Sequence, residues 1–245
     1  MSRAEPPKQL SAAAFLRDLQ QRQSEVQREN YGRYFKMGAG EYGEGDVFIG
    51  VPMGEVFALA KQYIDMPVGE IEKLMESEIH EARAGAMSIM DKAGRSRKTS
   101  AERRQALYEL YLRRHDRINN WDLVDLAAQH VVGRYLEAGP RDVLYALARS
   151  ESMWERRTAI VATAYFLRQG DVEETFKIAE MLLDDDEDLI HKAVGGWLRQ
   201  AGKQAPERLL AFLVQHAARM PRAMLTYAME HLDADQKAHY RGLVN

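Results

Sequence analysis

Apolar residues recur every three or four positions along nearly the whole chain after residue 53. Leu107, Leu110 and Tyr111 show this spacing in one segment, and Phe166 and Leu167 belong to another. The spacing places apolar side chains on one face of an α-helix. Clean alternation of apolar and polar residues, the pattern of a half-buried strand, does not interrupt it. The pattern predicts an all-α protein.

Helix-breaking signals divide this part of the chain at regular intervals. They fall at 66–67, 94–100, 119–120, 139–140, 170–171, 184–186, 205–206 and 220–221. The longer helix of each pair then starts near Trp121, Trp154, Glu187 and Pro221, at intervals of 33, 33 and 34 residues. Antiparallel helix pairs at such a period bury their apolar faces by stacking on their neighbours. We therefore expect a superhelical solenoid of antiparallel helix pairs, in which the first turns of these helices gather on one concave face.

The N-terminal part is less regular than the repeats. We expect a single helical-repeat domain over 1–245, with an N-terminal capping segment over 1–30 that holds one helix at 10–27, a Gly-rich ordered loop over 31–52, and helical repeats over 53–245. The loop contains a literal GxGxxG at 38–43. Neither a preceding strand nor a βαβ unit surrounds it, so we do not interpret it as a dinucleotide site.

Composition limits the classes of protein that remain. Apolar residues make up 46% of the 245 positions and charged residues 29%, with 7 Pro and 17 Gly, which suits helices. Cys is absent, which excludes disulfides and thiolate metal sites. The seven His show no HxxxH pairing, and no apolar run approaches a membrane span. We expect a soluble, cytoplasmic monomer that needs no metal and no cofactor.

The net charge of −3 does not suggest a generally basic nucleic-acid binder. The charges are nevertheless unevenly distributed, with a net of +6 over 92–117 and a net of −8 over 171–188. One basic face on such a scaffold would be able to follow DNA phosphates. Solvated helix faces explain the same charge runs equally well.

Trp121 and Asp125 form the most informative pair in the chain. They lie four residues apart, so a helix that starts after Asn120 presents an indole and a carboxylate side by side. The structural alternative is a buried Trp together with an Asp that favours the positive helix N-terminus, and spacing alone favours it. Asp122 lies on a different face of the helix and fits a structural role.

The next two repeats supply three weaker candidates. Trp154 and Arg157 open the following helix, where the guanidinium would bind a phosphate or form an ion pair. Trp197 follows the paired Gly195 and Gly196 one repeat later. Glycines inside a helix suggest a close approach to the backbone, whereas a large aromatic at helical spacing is usually part of the core.

The chain resembles a known family through several specific motifs. They are YFKMGAGEYGEGDVFIGVP (34–52), YLRRHDRINNWDLVDLAAQHVVGRYL (111–136), MWERRTAIV (153–161), LLDDDEDLIHKAVGGWLRQAGK (182–203) and MPRAMLTYAMEHL (220–232). Together they resemble the AlkD-like DNA alkylation repair family. The resemblance implies a HEAT-like repeat superhelix whose concave, basic face grips duplex DNA. It also implies a monofunctional DNA glycosylase that removes cationic N3- and N7-alkylated purines.

The motif positions carry the family's roles onto individual residues. The resemblance places the catalytic carboxylate on Asp125, the neighbouring aromatic on Trp121 and the cleft arginine on Arg157. The family's second cleft tryptophan falls on Gly196, whereas this chain has its indole at Trp197, so the indole lines either the cleft or the core. The family does not require a deep pocket for an extruded base. Two alternatives stay open, namely a non-catalytic binder of damaged or branched DNA on the same scaffold and a protein-binding helical-repeat scaffold.

Overall fold

The computed structural model describes residues 9–35, 38 and 41–243. Its α-helices are α1 (Ala12–Gln20), α2 (Glu25–Tyr34), α3 (Met53–Gln62), α4 (Val68–Met75), α5 (His80–Arg95), α6 (Ala101–Arg113), α7 (Trp121–Ala128), α8 (Asp142–Ala148), α9 (Met153–Ala162), α10 (Ala164–Arg168), α11 (Glu173–Met181), α12 (Asp188–Gln204), α13 (Pro206–His216), α14 (Arg222–Ala228) and α15 (Ala234–Arg241). Short 3₁₀ turns lie at His115–Arg117 and Tyr135–Ala138, and a π-helical stretch at Gln129–Gly133 follows α7. The predicted all-α class is confirmed.

Helix starts follow the repeat period that the sequence predicted. Trp121, Met153, Asp188 and Arg222 begin α7, α9, α12 and α14, each within one residue of its expected start. Within the described residues, β-pairing is limited to one isolated bridge between Val47 and Ile79. Among these residues, no helix has the length and apolar character needed to cross a bilayer.

The N-terminal prediction was wrong in one respect, because two helices replace the single helix expected over 10–27. Ser11 caps α1 and Ser24 caps α2, each by accepting a backbone N–H of its own first turn. The second helix runs on to Tyr34, so the predicted Gly-rich loop begins later than residue 31. Parts of the predicted segments, namely residues 1–8, 36–37, 39–40 and 244–245, lie outside the described residues, and they include two of the six residues of the GxGxxG match.

The chain divides into two compact units, Met1–Ala127 and Ala128–Asn245. In the first unit α5 is the central helix, almost wholly buried, and it packs against α1, α3, α4 and α6. In the second unit α12 has the corresponding place among α9, α11, α13 and α14. The prediction of one domain over 1–245 and of a superhelical arrangement stays a prediction.

Two glycines let helices of the second unit approach each other closely. A Cβ on Gly195 would lie 2.4 Å from the carbonyl oxygen of Met224 and 2.7 Å from the Cβ of Tyr227. A Cβ on Gly133 would meet the carbonyl oxygen of Ala162 at 2.2 Å in the same way. Backbone contact at such distances leaves no room for a side chain, so Gly195 is explained by helix packing.

Candidate functional site

A cavity of about 320 Å³ opens in the first unit. Three helices and the residue after α2 contribute its walls. The lining residues are Tyr31, Tyr34, Phe35, Met53, Phe57, Trp121, Asp122, Asp125 and Leu126. Six of these nine side chains are aromatic or thioether groups, and the two that carry charge are both acidic. The cavity is therefore apolar with a local negative charge.

Helix α7 brings the predicted indole and carboxylate to this cavity. Trp121 is half-buried and Asp125, one turn later, is exposed. The first turn is fixed by side-chain oxygens, because Asn120 accepts the N–H of Trp121 at 2.8 Å and Asp122 accepts that of Leu123 at 2.9 Å. The structure thus confirms that Trp121 and Asp125 share one face. Their chemical roles stay predictions.

Stacked rings hold the Trp121 side chain in place. Phe35 lies nearly parallel to the indole, with ring centroids 5.8 Å apart and 19° between the planes. Tyr34 meets the indole edge-on at 5.7 Å. Phe35 in turn belongs to a buried cluster with Tyr31 and Phe48. These offset and edge-on contacts each stabilise the cluster, so the indole is presented in one orientation.

A buried ion network lies behind the aromatic wall. His80, at the start of α5, has no exposed surface. Its Nε2 contacts Asp122 Oδ2 at 2.8 Å, and its Nδ1 contacts Asp46 Oδ2 at 3.2 Å. Asp46 also accepts hydrogen bonds from Arg83 and, at 3.2 Å, from Asn119. The network therefore ties the start of α7 to the start of α5 and to the loop before α3.

The two carboxylates make His80 a cation at neutral pH. Burial alone lowers the pKa of His80, but the hydrogen bonds and charges of Asp122 and Asp46 outweigh it and raise the pKa to about 9. Burial alone raises the pKa of Asp46, but His80 and Arg83 outweigh it and lower the pKa to about 2. A buried charge is tolerated here because it is paired on both sides.

Glu81 holds the loop that leads into α3. Its carboxylate is fully buried and accepts backbone N–H groups from Ile49 at 3.1 Å, Gly50 at 2.8 Å and Val51 at 3.2 Å. Gly50 adopts a φ of 78°, and a Cβ there would lie 2.0 Å from the carbonyl oxygen of Ser24. Only glycine fits that position.

Most of the arginines at 92–117 bind backbone carbonyls or carboxylates of the protein itself. Arg103 donates to the carbonyls of Ile64 and Met66, at 3.0 and 2.7 Å. Arg117 donates to the carbonyls of Met75, Glu76 and Ser77 at the end of α4. Arg104 donates to a carbonyl as well, while Arg113 and Arg114 form ion pairs with glutamates of the α4 region. Arg95, Arg97 and Lys98, at the turn between α5 and α6, are exposed, and so is Arg113. Of these, Arg95 pairs with Asp91.

Comparison with known proteins identifies the family of the chain. The model of the DNA alkylation repair enzyme family matches residues 15–232, which is most of the sequence. The chain belongs to the DNA alkylation repair enzyme family. A solved structure of a predicted DNA alkylation repair enzyme from Enterococcus faecalis has a TM-score of 0.67 and 19% identity, over 87% of this chain and 98% of that one. At this identity the likeness shows the fold alone. No curated protein matches the sequence significantly.

The other predicted residues lie in the second unit. Trp154 is half-buried in the first turn of α9. Arg157 is buried, and its Nη1 donates to the carbonyl oxygen of Leu189 in α12 at 2.8 Å. Arg157 thus joins two helices of the unit. Its predicted contact with a DNA phosphate is not tested by this geometry and stays a prediction.

Trp197 lies in a helix that runs without interruption through the paired glycines. Helix α12 is regular from Asp188 to Gln204, so Gly195 and Gly196 do not distort it. Trp197 is half-buried, whereas Leu198 beside it has no exposed surface. Gly196 has open space where a Cβ would stand. The indole is therefore not enclosed in the core, and its contact with DNA stays a prediction.

Sequence reasoning missed most of what supports the site. Asp122 was correctly given a structural role, but its partner His80 was not recognised. Asp46 and Arg83 were missed as well, although the acids Glu44 and Asp46 in an aromatic loop and a His at a helix start are visible signals. The described residues contain no group of three or more His, Cys, Asp or Glu arranged to hold a metal ion.

Proposed function

We propose that this protein is a DNA glycosylase that hydrolyses the N-glycosidic bond of cationic N3- and N7-alkylated purines in duplex DNA. One observation carries the proposal. Helix α7 presents the exposed carboxylate of Asp125 and the indole of Trp121 at the mouth of the same aromatic cavity. Membership of the DNA alkylation repair family supplies the class of substrate.

The residue types suit this reaction. Alkylation at N3 or N7 makes the purine a cation, so the C1′–N bond breaks with its electron pair moving onto a base that leaves neutral. Positive charge then develops on the sugar, and a water oxygen adds to C1′ while its proton passes to solvent. Asp125 would stabilise the developing charge and orient the water, an effect worth a few kcal/mol in a site that excludes bulk water.

The remaining candidates would hold the duplex. We propose that the helix starts of α7, α9 and α12 line one concave surface of a HEAT-like superhelix, with Trp154, Arg157 and Trp197 in contact with the DNA. A chain of net charge −3 would need locally concentrated phosphate contacts to bind a duplex. The exposed cations between α5 and α6 add to such contacts.

Single-turnover excision of 3-methyladenine and 7-methylguanine from methylated duplex tests the proposal. We expect Asp125→Asn to lower the excision rate at least about tenfold while binding of undamaged duplex is nearly unchanged, since the isostere removes charge and keeps shape. Glu109→Gln is the matched control, because Glu109 is an exposed acid of α6 in the same unit that does not line the cavity.

Three results would contradict the proposal. Wild-type excision by Asp125→Asn would show that this carboxylate is not catalytic. Binding of damaged duplex by the wild-type protein with no release of base would point to a non-catalytic DNA binder instead. An absence of both binding and excision would favour a protein-binding scaffold.

A further inference from the structure

His80 is a buried group that the proposed reaction does not use. It is the first residue of α5 and has no exposed surface. Both of its ring nitrogens contact a carboxylate oxygen, Nε2 that of Asp122 and Nδ1 that of Asp46. A neutral imidazole has a single N–H, so it would turn a lone pair toward one of the two carboxylates. The contacts therefore fit the imidazolium form.

The imidazole begins a series of stacked rings that ends at Trp121. Phe48 stacks on the imidazole, with ring centroids 4.5 Å apart and 23° between the planes. Phe35 stacks on Phe48 at 4.9 Å and 26°, and Trp121 stacks on Phe35 at 5.8 Å and 19°. Phe35 also lies 5.0 Å from the imidazole itself. An aromatic face attracts a cation through its quadrupole, so the charge of His80 strengthens the first contact of the series.

A hydrogen-bonded route leads from the same imidazole to the backbone of α7. Asp122 uses Oδ2 for the contact with His80 and Oδ1 to accept the N–H of Leu123. Asp122 directly follows Trp121 in the chain, so this carboxylate fixes the helical turn that carries the indole. Stacked rings thus hold the side chain of Trp121, a carboxylate holds its backbone, and both routes start at His80.

The imidazole is itself anchored to the central helix of its unit. The backbone N–H of His80 donates to the carbonyl oxygen of Val47 at 2.8 Å, and Val47 N–H donates to that of Glu78 at 3.2 Å. The carboxylate of Asp46 is held in turn by Arg83. The ring cannot shift without breaking these contacts, so it is a fixed reference for the parts that pack on it.

We propose that His80 is a positioning residue, which as a cation holds the indole of Trp121 in the orientation that meets a nucleotide of the bound duplex. The inference rests on the proposed function for the role of Trp121 toward DNA. The orientation of the indole in the free protein does not depend on that role. Loss of the imidazolium should free the outer ring of the stack while the helices stay folded.

Time-resolved fluorescence anisotropy of the free, full-length protein measures how firmly the indole is held. The chain has 3 Trp, so Trp154→Phe and Trp197→Phe leave Trp121 as the reporter. We expect little fast depolarisation in this parent protein. His80→Gln should raise its amplitude at least about twofold, because side-chain rotation on the ps–ns timescale becomes possible. Asp122→Asn keeps the shape of a partner without its charge, should raise the amplitude as well, and replaces His80→Gln if that variant does not fold.

Leu74→Ala is the matched control for lost stability. Leu74 is a fully buried residue of α4 in the same unit, and it belongs to neither route. The cavity left by this substitution should lower the melting temperature and leave the depolarisation of Trp121 unchanged. An equal rise in amplitude would show that the indole responds to any destabilisation, and it would overturn the inference.

A pH titration of the parent protein separates the charge of His80 from its shape. The amplitude should rise as the pH passes from 7 through about 9, where the imidazolium loses its proton. His80→Gln should lack this step, and Asp122→Asn should move it to lower pH. The charged side chains at or next to the imidazole are those of Asp46, Glu81, Arg83 and Asp122. Burial raises the pKa of nearby Tyr31 above 10, so its phenol does not titrate in this range. A step that survives unshifted in both variants would overturn the inference.

Excision tests whether the orientation matters to the reaction. His80→Gln should lower the single-turnover rate at saturating protein at least about fivefold and leave affinity for undamaged duplex nearly unchanged, because misplacement of a contact costs rate more than binding. Leu74→Ala should keep the rate of the parent protein.

The outcomes separate this inference from the proposed activity. An unchanged amplitude in both His80→Gln and Asp122→Asn, or full excision by a folded variant whose indole has become mobile, would overturn the inference. If the wild-type protein excises nothing, the proposed function fails, and the anisotropy and pH measurements alone support or overturn the positioning of Trp121 by His80.

Discussion

Raising the pH from 6 to 10 should deprotonate the imidazolium of His80, which contacts the carboxylates of Asp122 and Asp46. Because the pKa of His80 is raised from 6.5 to about 9 in the folded protein, its contribution to stability is complete below pH 6.5. It is then lost as the pH rises through about 9. Above that pH a neutral imidazole would lie between two buried carboxylates, with Arg83 as the remaining cation on Asp46.

The expected size of the loss follows from the two pKa values. A difference between 6.5 and about 9 corresponds to about 3 kcal/mol, because one pKa unit is equivalent to roughly 1.4 kcal/mol. The free energy of unfolding should therefore fall by roughly 1.4 kcal/mol per pH unit between these values. A loss of this size is a large fraction of the stability of an ordinary domain, about 5–15 kcal/mol.

Urea unfolding at half-unit steps of pH measures the effect. Other groups titrate above pH 9, so the informative quantity is the difference between the wild-type protein and His80→Gln, whose side chain carries no proton that titrates. His231→Gln is the control, because His231 is exposed. If His80→Gln is too unstable to measure, Asp122→Asn serves instead, since removal of one partner lowers the pKa of His80 and shifts the loss to lower pH.

Two results would refute the reasoning. If wild-type protein and His80→Gln lose the same free energy of unfolding between pH 6.5 and 9, His80 is not the cation of the network. A shallower loss in His231→Gln than in wild-type protein would likewise show that surface histidines dominate the pH dependence.

Three further predictions concern the second unit. Gly195→Ala should destabilise the protein by at least about 2 kcal/mol by overpacking, whereas Gly196→Ala should be neutral or stabilise it by up to about 1 kcal/mol; equal melting temperatures would contradict the packing. Arg157→Ala should flatten the salt dependence of duplex affinity by roughly one phosphate contact, and an unchanged slope together with lowered stability would assign Arg157 to contacts within the protein, such as its bond to Leu189. Trp197→Ala should slow excision by the folded protein while the melting temperature stays nearly unchanged. A large fall in melting temperature with excision per folded molecule unchanged would assign the indole to packing.

Local patterns predicted the helices and the pair on α7 because helical periodicity is a property of short segments. Trp121 and Asp125 share a face by spacing alone, and the structure places both at one cavity. The single helix expected at the N-terminus was wrong because a capping Ser24 outweighed the apolar pattern. Extension of the second helix to Tyr34 then supplied cavity walls that had been assigned to a loop.

Contacts between residues far apart in the chain could not be predicted from the sequence. His80 is separated from Asp46 by 34 residues and from Asp122 by 42. No short pattern shows that three such residues meet. The net positive charge at 92–117 likewise suggested a phosphate-binding face, but Arg103 and Arg117 cap the carbonyl ends of other segments. A count of charges does not show whether a guanidinium faces solvent or a backbone oxygen.

The carboxylate of Glu81 has a consequence for how the protein exchanges its amide hydrogens. Ile49, Gly50 and Val51 lie in a segment without helical structure, where rapid exchange with solvent deuterium would be usual. Their N–H groups instead donate to a fully buried side chain at the start of α5. These three amides should become accessible only when α5 itself opens. Mass spectrometry of deuterated peptides should therefore find this loop protected for as long as the central helix of its unit.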